Sequence, residues 1–404
     1  MQPPTNSPQK IITKTIWQLS LVSLFTDMAG EMLYPVMPVF LKSIGYSVLF
    51  IGVLEGMAEA VAGLTKGYFG NMSDKMGRRL PFVQIGYTLS ALSRPMMAFF
   101  TFPAWIFFAR TMERLGKGIR TGARDAMLSD EATAATKGTV FGFHRSMDTL
   151  GAVIGPALAL LFLYYFPNNY RALFYVAYFP GLLAIIATLA IKEKHQPPAA
   201  NYKIQLPNLF AFASYWKKST HEYKKLVTGL LLFALFNSSD VFLLLKMKEN
   251  GMSDTAVIAV YIFYNLVYAL MAYPVGIFAD KIGLKKIFLI GLIIFATVYT
   301  GFAFNNNLLI SIALFFLYGL YAAATESISK AWISNIAEKK ETAAAIGTYT
   351  GFQSIATLIA SSLAGLLWYK FGATSTFLIT AAATLLVVLY LSPIKFKKNK
   401  YSSL

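Results

Sequence analysis

The chain has 404 residues, no cysteine, 56% hydrophobic residues and a net charge of +17. Only 14% of its residues are charged, against about a quarter in a soluble globular domain, and its mean hydropathy is +0.54. These values exclude a disulfide scaffold, a thiolate metal site and an ordinary soluble domain, and three histidines (His144, His195 and His221) leave little for a metal or redox enzyme.

Met1–Gln9 is polar and proline-rich, and the apolar run behind it outlasts a signal peptide, so no cleavable leader is expected. Twelve helical spans are predicted, at 16–42, 47–70, 80–100, 104–128, 138–164, 171–192, 224–247, 254–277, 285–304, 308–334, 341–368 and 373–392. Segments of roughly 20 apolar residues cross a ~30 Å hydrocarbon core as helices, whereas a membrane barrel would show short alternating strands. Between the sixth and seventh spans lies Glu193–Tyr223, a polar stretch with Pro197, Pro198 and Pro207. It reads as a linker with a short interfacial helix near Leu209–Trp216, dividing the chain into a bundle at 1–192 and a bundle at 224–404. Lys395–Leu404 reads as a frayed tail. Lysine and arginine concentrate at Lys10–Lys14, Lys75–Arg79, Lys192–Lys225, Lys281–Lys286, Lys330–Lys340 and Lys395–Lys400. This is the positive-inside pattern of a multi-pass protein of the cell (inner) membrane with both termini cytoplasmic. The basic loops hold no nucleic-acid recognition motif, so the charge is assigned to topology.

The segment GNMSDKMGRR at Gly70–Arg79 recurs as GIFADKIGLK at Gly276–Lys285, 206 residues on, with Gly70/Gly276, Asp74/Asp280, Lys75/Lys281 and Gly77/Gly283 identical. Each copy reads as a loop between two apolar spans. FGFHRSMDTLGA at Phe141–Ala152 aligns with IGTYTGFQSIAT at Ile346–Thr357 at an offset of 205, and Ala109–Ala126 falls weakly on Leu314–Ala331. Parallel repeats of six helices are a transporter architecture. On the pattern G-x-x-x-D-[RK]-x-G-R-[RK], filled by Gly70, Asp74, Lys75, Gly77, Arg78 and Arg79, the chain resembles the major facilitator superfamily over almost its full length. The resemblance implies an all-α fold of twelve membrane helices in two pseudo-symmetric bundles, acting as a monomer without a cofactor. It also implies a gate in which Asp74 meets the N-terminal end of the eleventh helix, with Gly70 and Gly77 allowing close approach and Arg78 and Arg79 flanking it. Gly276, Asp280 and Gly283 occupy the equivalent places in the second copy. Leu284 stands where the first copy has Arg78, so a weaker second lock is expected. Gly151, Gly155 and Pro156 match a second family pattern, G-x-x-x-G-P, associated there with proton-driven antiport; the same small-residue spacing also arises from ordinary helix packing.

Ionisable residues crowd the N-terminal half. Asp27 and Glu31 lie one turn apart on the first helix, Glu55 and Glu59 one turn apart on the second, and Arg94 on the third. On the fourth, Arg110, Arg114, Lys117, Arg120 and Arg124 share one face, with Glu113 and Asp125 nearby, and the fifth carries Arg145 and Asp148. A charge near the bilayer centre costs roughly 2.5–3.5 kcal/mol even on the lenient scale, so these groups must face partners or water. One reading is an ion-paired network that merely holds helices together. The other is a site in which a carboxylate titrates and an arginine holds a charged solute, because burial and a movable cation push a carboxylate pKa in opposite directions. Asp27 and Glu31 are the first candidates for the proton site, followed by Glu55 and Glu59. Arg94, Arg110, Arg114, Lys117 and Arg120 are the candidates for solute binding in the N-terminal half. The C-terminal half offers Asn237, Asp240, Asn265, Tyr268 and Glu326, within a tyrosine-rich wall suited to an apolar solute end.

The reading that follows is a proton-coupled secondary transporter of a small anionic, zwitterionic or amphiphilic solute, working by alternating access and leaning to efflux. The alternatives are proton-coupled uptake of a metabolite or siderophore and, from another class, a non-transporting sensor or a membrane-embedded enzyme. No nucleophile cluster, metal-ligand set or cofactor motif supports an enzyme; LGKGIRTG at Leu115–Gly122 lacks the phosphate-loop pattern, and His144, one turn from Asp148, reads as a solvated or packing histidine rather than half of a functional pair.

Overall fold

The computed structural model describes residues 11–34, 36–193, 212–238 and 240–394. The described residues form helices and no strands: α1 (Lys14–Leu33), α2 (Met37–Ser43), α3 (Val48–Met76), α4 (Leu80–Phe99), α5 (Pro103–Asp130), α6 (Lys137–Tyr165) and α7 (Tyr170–Leu189), then α8 (Phe212–Lys218), α9 (His221–Ala234), α10 (Val241–Glu249), α11 (Asp254–Ile282), α12 (Leu284–Phe304), α13 (Leu308–Ile336) and α14 (Thr342–Leu391). Each of the twelve expected spans is helical over most of its length. Six helical stretches among the described residues are long and apolar enough to cross a membrane: Lys137–Tyr165, Tyr170–Leu189, Ala259–Ile282, Leu284–Phe304, Leu308–Ile336 and Lys339–Leu391. The charged α5 is not among them.

Three elements differ from expectation, each for a local reason. The first span is not continuous to residue 42; α1 stops at Leu33 and α2 begins at Met37, with Pro38 in its first turn, where a missing N–H costs nothing. Pro35 lies outside the described residues. The seventh span is broken between α9 and α10, where Asn237, Ser238 and Asp240 offer side-chain competitors to the helical ladder. The last two spans run together as α14, interrupted at Gly372, whose φ of 79° a side chain would resist. The repeated motif is also less of a loop than expected. Gly70–Lys75 are the last turns of α3, and only Gly77 (φ 64°) to Arg79 make the turn. In the second copy Gly276–Ile282 end α11 and Gly283 (φ 108°) makes the turn. Of the expected linker helix, Phe212–Lys218 is present; Leu209–Ala211 and the tail from Lys395 lie outside the described residues.

Within the N-terminal half α1 packs on α6 and α7, α4 on α5 and α7, and α3 on α5. In the C-terminal half α12 packs on α13 and α14, and α11 on α13. The most extensive pairings between the halves are α6 with α11 and α3 with α14, and α13 with α6 and α14 with α5 add to them. The two largest depend on glycine: a β-carbon at Gly70 would collide with the Ala343 carbonyl, and one at Gly276 with the Gly138 carbonyl. Gly151 and Gly155 serve a contact inside the first half. A β-carbon at Gly151 would lie 2.8 Å from Met28 N, and one at Gly155 would lie 2.8 Å from Met32 N. The G-x-x-x-G-P stretch is therefore the surface on which α1 rests, as small-residue helix packing requires. Gly155→Val should cost about 1–3 kcal/mol by overpacking, read as a lower melting temperature of the purified protein in detergent; an unchanged melting temperature would show that α1 and α6 do not meet there.

Candidate functional site

The site has three layers, beginning at the end of the molecule that carries the Gly77 and Gly283 turns. At this basic end the first helix-end carboxylate, Asp74, accepts a hydrogen bond from Ala344 N at 2.8 Å, in the first turn of α14. The first-turn N–H groups of a helix have no intrahelical acceptor and carry partial positive charge, so a carboxylate is their natural partner. Asp74 also pairs with Arg79 at 2.9 Å, and Arg79 reaches the Lys339 carbonyl at 3.2 Å and pairs with Asp130. Glu193 accepts from Arg79 N and Leu80 N at 2.5 and 3.1 Å, holding the turn in place. The second copy repeats the contact on the other half: Asp280 accepts from Gly138 N at 2.7 Å and Thr139 N at 2.6 Å, in the first turn of α6. The two locks differ, but not at the Arg78/Leu284 position. Arg78 is exposed; it is Arg79 that is buried in the first lock. Its counterpart Lys285 turns away to the Ser392 and Ile394 carbonyls, at 2.7 Å each, so the donors to Asp280 come from Gly138 and Thr139 and not from a basic side chain.

A second set of contacts ties the halves beside and behind these locks. Lys330 of α13 pairs with Asp125 of α5 at 2.7 Å, and Asp125 pairs with Arg124 at 2.8 Å. Lys137 donates to the Ser334 carbonyl at 2.7 Å. Arg145 of α6 pairs with Asp148 at 2.7 Å and Glu326 of α13 at 3.5 Å, and its guanidinium hydrogen-bonds and stacks on Tyr268 of α11, 5.2 Å from the ring centre. Asp148 also accepts from Ser23 at 2.5 Å, and its carboxyl group is within hydrogen-bonding reach of the Asp27 carboxyl. A hydrogen bond between two carboxyl groups requires one proton between them. His144 is buried with Nδ1 3.4 Å from Ser20 Oγ, a packed position as expected.

The third layer is a cavity of about 340 Å³, lined by Asp27, Glu31, Arg94, Arg110, Glu113, Arg114, Lys117 and Arg120 together with Thr26, Gly30, Tyr34, Ser90 and Tyr261. Among the described residues, five cations and three carboxyl groups line it. Arg110 is paired with Glu113. Arg120 donates to Ser90 Oγ at 2.6 Å and lies 4.5 Å over the Tyr87 ring. Arg94 is 2% exposed and donates to the Thr26 carbonyl at 2.9 Å.

The structure thus brings together Asp27, Glu31 and all five of the N-terminal cations singled out for binding. The side chains of Glu55 and Glu59 lie outside the described residues. The C-terminal candidates do not reach this cavity. Asn237 donates to Tyr321 at 2.9 Å, Asp240 accepts from Tyr264 at 2.6 Å, Asn265 donates to the Tyr261 carbonyl at 3.0 Å, and Tyr268 and Glu326 are engaged by Arg145. The expected aromatic wall is mostly a packed cluster, with Tyr264, Tyr318 and Tyr321 in ring contact; of that group Tyr261 lines the cavity. Asp148, Ser23 and Glu113 join the site from outside the candidate set. Spacing alone could have flagged Asp148, one turn from Arg145, but not its meeting with Asp27.

The described residues form an all-helical fold in two repeated halves around a charged cavity, an arrangement suited to a membrane transporter. A family model described as Major Facilitator Superfamily matches residues 19–247 and 226–403. The chain is 33% identical over 379 residues to an uncharacterized MFS-type transporter of Methanocaldococcus jannaschii, covering 92% of this chain and 93% of that one. Its fold is similar to that of the human organic anion transporter MFSD10 (TM-score 0.77, 15% identity, 96% of this chain and 100% of that chain) and of the E. coli fucose:proton symporter FucP (TM-score 0.76, 10% identity, 95% and 98%). The chain belongs to the major facilitator superfamily, a family of transporters and not of enzymes.

The Arg110–Glu113 pair makes a direct stability prediction. Removing one partner of a buried ion pair costs about 3–5 kcal/mol, whereas removing both costs far less. Glu113→Gln should lower the detergent melting temperature, and the double variant R110Q/E113Q should recover part of the loss; a double variant no more stable than E113Q would contradict the pairing.

Proposed function

We propose that this protein is a secondary active transporter that moves a small organic anion together with protons by alternating access. The observation that carries the reading is the cavity itself, which among the described residues gathers five cations and three carboxyl groups inside the helix bundle. Fixed cations in a low-dielectric pocket attract an anion far more strongly than they would in water. Asp27, whose carboxyl group lies beside that of Asp148, supplies the proton site, and Glu31 one turn along α1 is the second candidate. An anion seated next to these carboxyl groups favours their protonated forms. Anion and proton therefore bind as a pair, which supports symport. The second reading, export by proton antiport, is supported by the Gly151–Gly155–Pro156 run.

In this proposal the basic end faces the cytoplasm of a cell whose inner membrane holds the protein, with both termini inside, following the positive-inside pattern. The bundles at 1–192 and 224–404 move as bodies about the α6–α11 and α3–α14 contacts, joined by the linker at 193–223. The layers at the basic end are engaged, so the cavity communicates with the opposite side. Opening the basic end breaks the Asp74–Ala344, Asp280–Gly138 and Lys330–Asp125 contacts together. It also frees Arg145 from Tyr268 and Glu326, so that its charge falls more fully on Asp148 and displaces the shared proton. The protein is proposed to act as a monomer.

Counterflow of labelled solute in proteoliposomes, with and without a pH gradient, tests the reading. A carrier shows counterflow without a gradient and accumulation with one; flux without counterflow would indicate a channel, and no flux a non-transporter. Asp74→Asn weakens a charge-assisted bond of about 1.5–3 kcal/mol. It should slow turnover about tenfold or more while changing solute affinity by less than about twofold; unimpaired turnover would remove Asp74 from the gate.

A further inference from the structure

A guanidinium joins the proton pair to the other half of the molecule. Asp27 and Asp148 stand among charged groups of their own half: Glu31 on α1, Arg94 on α4, Lys117 and Arg124 on α5, and His144 and Arg145 on α6. These groups travel with the pair when the halves move. Arg145 also reaches partners across the divide. Its Nε donates to the Tyr268 hydroxyl of α11, with the guanidinium over the Tyr268 ring, and its Nη2 lies 3.5 Å from Glu326 of α13. Neighbours on α6 and α11 fix the register that brings Tyr268 to Arg145. Ser146 donates to the Ala269 carbonyl, and a β-carbon at Gly142 would collide with the Ala272 carbonyl. Glu326 is partly exposed and its bond to Arg145 is long, so the buried Tyr268 is the firmer of the two partners.

The Tyr268 contact sets how Arg145 meets Asp148. A free guanidinium grips a carboxylate with two parallel N–H groups, a fork suited to the ionised form, which accepts on both oxygens. Here Nε is taken by Tyr268 and Nη2 points to Glu326, and Nη1 donates to Asp148 Oδ2 at 2.7 Å. Asp148 Oδ1 accepts from Ser23 Oγ at 2.5 Å. A carboxyl group held through a single N–H of the guanidinium can still share a proton with the carboxyl beside it.

We propose that Tyr268 is a positioning residue for proton coupling. By holding Arg145 Nε it limits the Arg145–Asp148 pair to one hydrogen bond and leaves a proton on Asp27 and Asp148. When Tyr268 departs with the C-terminal half, the fork forms and the proton passes from the carboxyl oxygen to water at the opened basic end. Arg145 stays charged throughout. This deepens the proton-coupled reading and rests on it.

The test needs no solute. Purified full-length protein in neutral detergent at neutral pH is examined by infrared spectroscopy for the C=O stretch of a protonated carboxyl group. The band is identified by its shift in D2O and assigned by its loss in Asp27→Asn. Tyr268→Phe keeps the ring and removes the hydroxyl. One charge-assisted hydrogen bond gained by the ionised form is worth about tenfold in the proton equilibrium, so the Asp27-dependent band should fall by at least about half. Tyr318→Phe, which removes a buried hydroxyl from the C-terminal tyrosine cluster, should leave the band unchanged. Lysine offers a point charge and no fork, so Arg145→Lys should retain the band and Y268F/R145K should recover at least about half of what Y268F loses. Melting temperatures check that each variant is folded; if Tyr268→Phe is not, Arg145→Lys alone decides. An undiminished band in Tyr268→Phe, a double variant as weak as the single one, or loss of the band in Arg145→Lys would overturn the inference and leave the proton reading standing. A wild type with no Asp27-dependent band would overturn both.

Discussion

The structure depends on one constraint: charge inside a bundle of membrane helices must be matched by charge, by a hydrogen bond or by water. The N-terminal half carries more ionisable groups than an apolar environment tolerates, and the helices are arranged around their reconciliation. Arg110 finds Glu113, Arg124 finds Asp125, and Arg145 finds Asp148. Arg94, Arg114, Lys117 and Arg120 collect with Asp27 and Glu31 around the cavity. That concentration of charge inside the bundle is the feature on which the functional reading stands.

The same constraint explains how closure is reversible. Asp74 and Asp280 bind backbone N–H groups at the starts of α14 and α6, each belonging to the opposite half. Contacts of this kind need no side-chain partner from the other half, so duplication of one half supplies both locks. Glycine at 70, 138 and 276 lets backbones approach where a side chain would hold them apart. Arg79 adds a basic side chain to the first lock, and the diversion of Lys285 leaves the second without one. Asymmetry between the halves is therefore present in the gate as well as in the cavity, and both place more electrostatics in the first half.

Much of this was legible in the chain before any coordinates. Helix positions follow from apolar run length, and the clustering of Arg110, Arg114, Lys117 and Arg120 follows from helical periodicity. That they need partners such as Asp27 and Glu31, or water, follows from the cost of charge inside a membrane. The rest was hidden for identifiable reasons. The Asp27–Asp148 contact joins residues far apart in sequence on two helices whose rotation is set by Gly151 and Gly155, which no periodicity reveals. The C-terminal tyrosines have the spacing of a cavity wall, but the break at Asn237–Asp240 turns polar side chains toward them and they pack as a cluster. Arg78 fits the motif as well as Arg79 does, and only the direction of the turn after Gly77 decides which is buried.

The central claim, that an anion and a proton share this cavity through the Asp27–Asp148 pair, is tested most directly by proton binding. The measurement is the pH change of a weakly buffered detergent solution when the purified protein binds its anion. The account predicts proton uptake on binding, seen as alkalinisation, and its loss in Asp27→Asn with binding retained. Binding that releases protons, or that leaves the pH unchanged in the wild type, would contradict it.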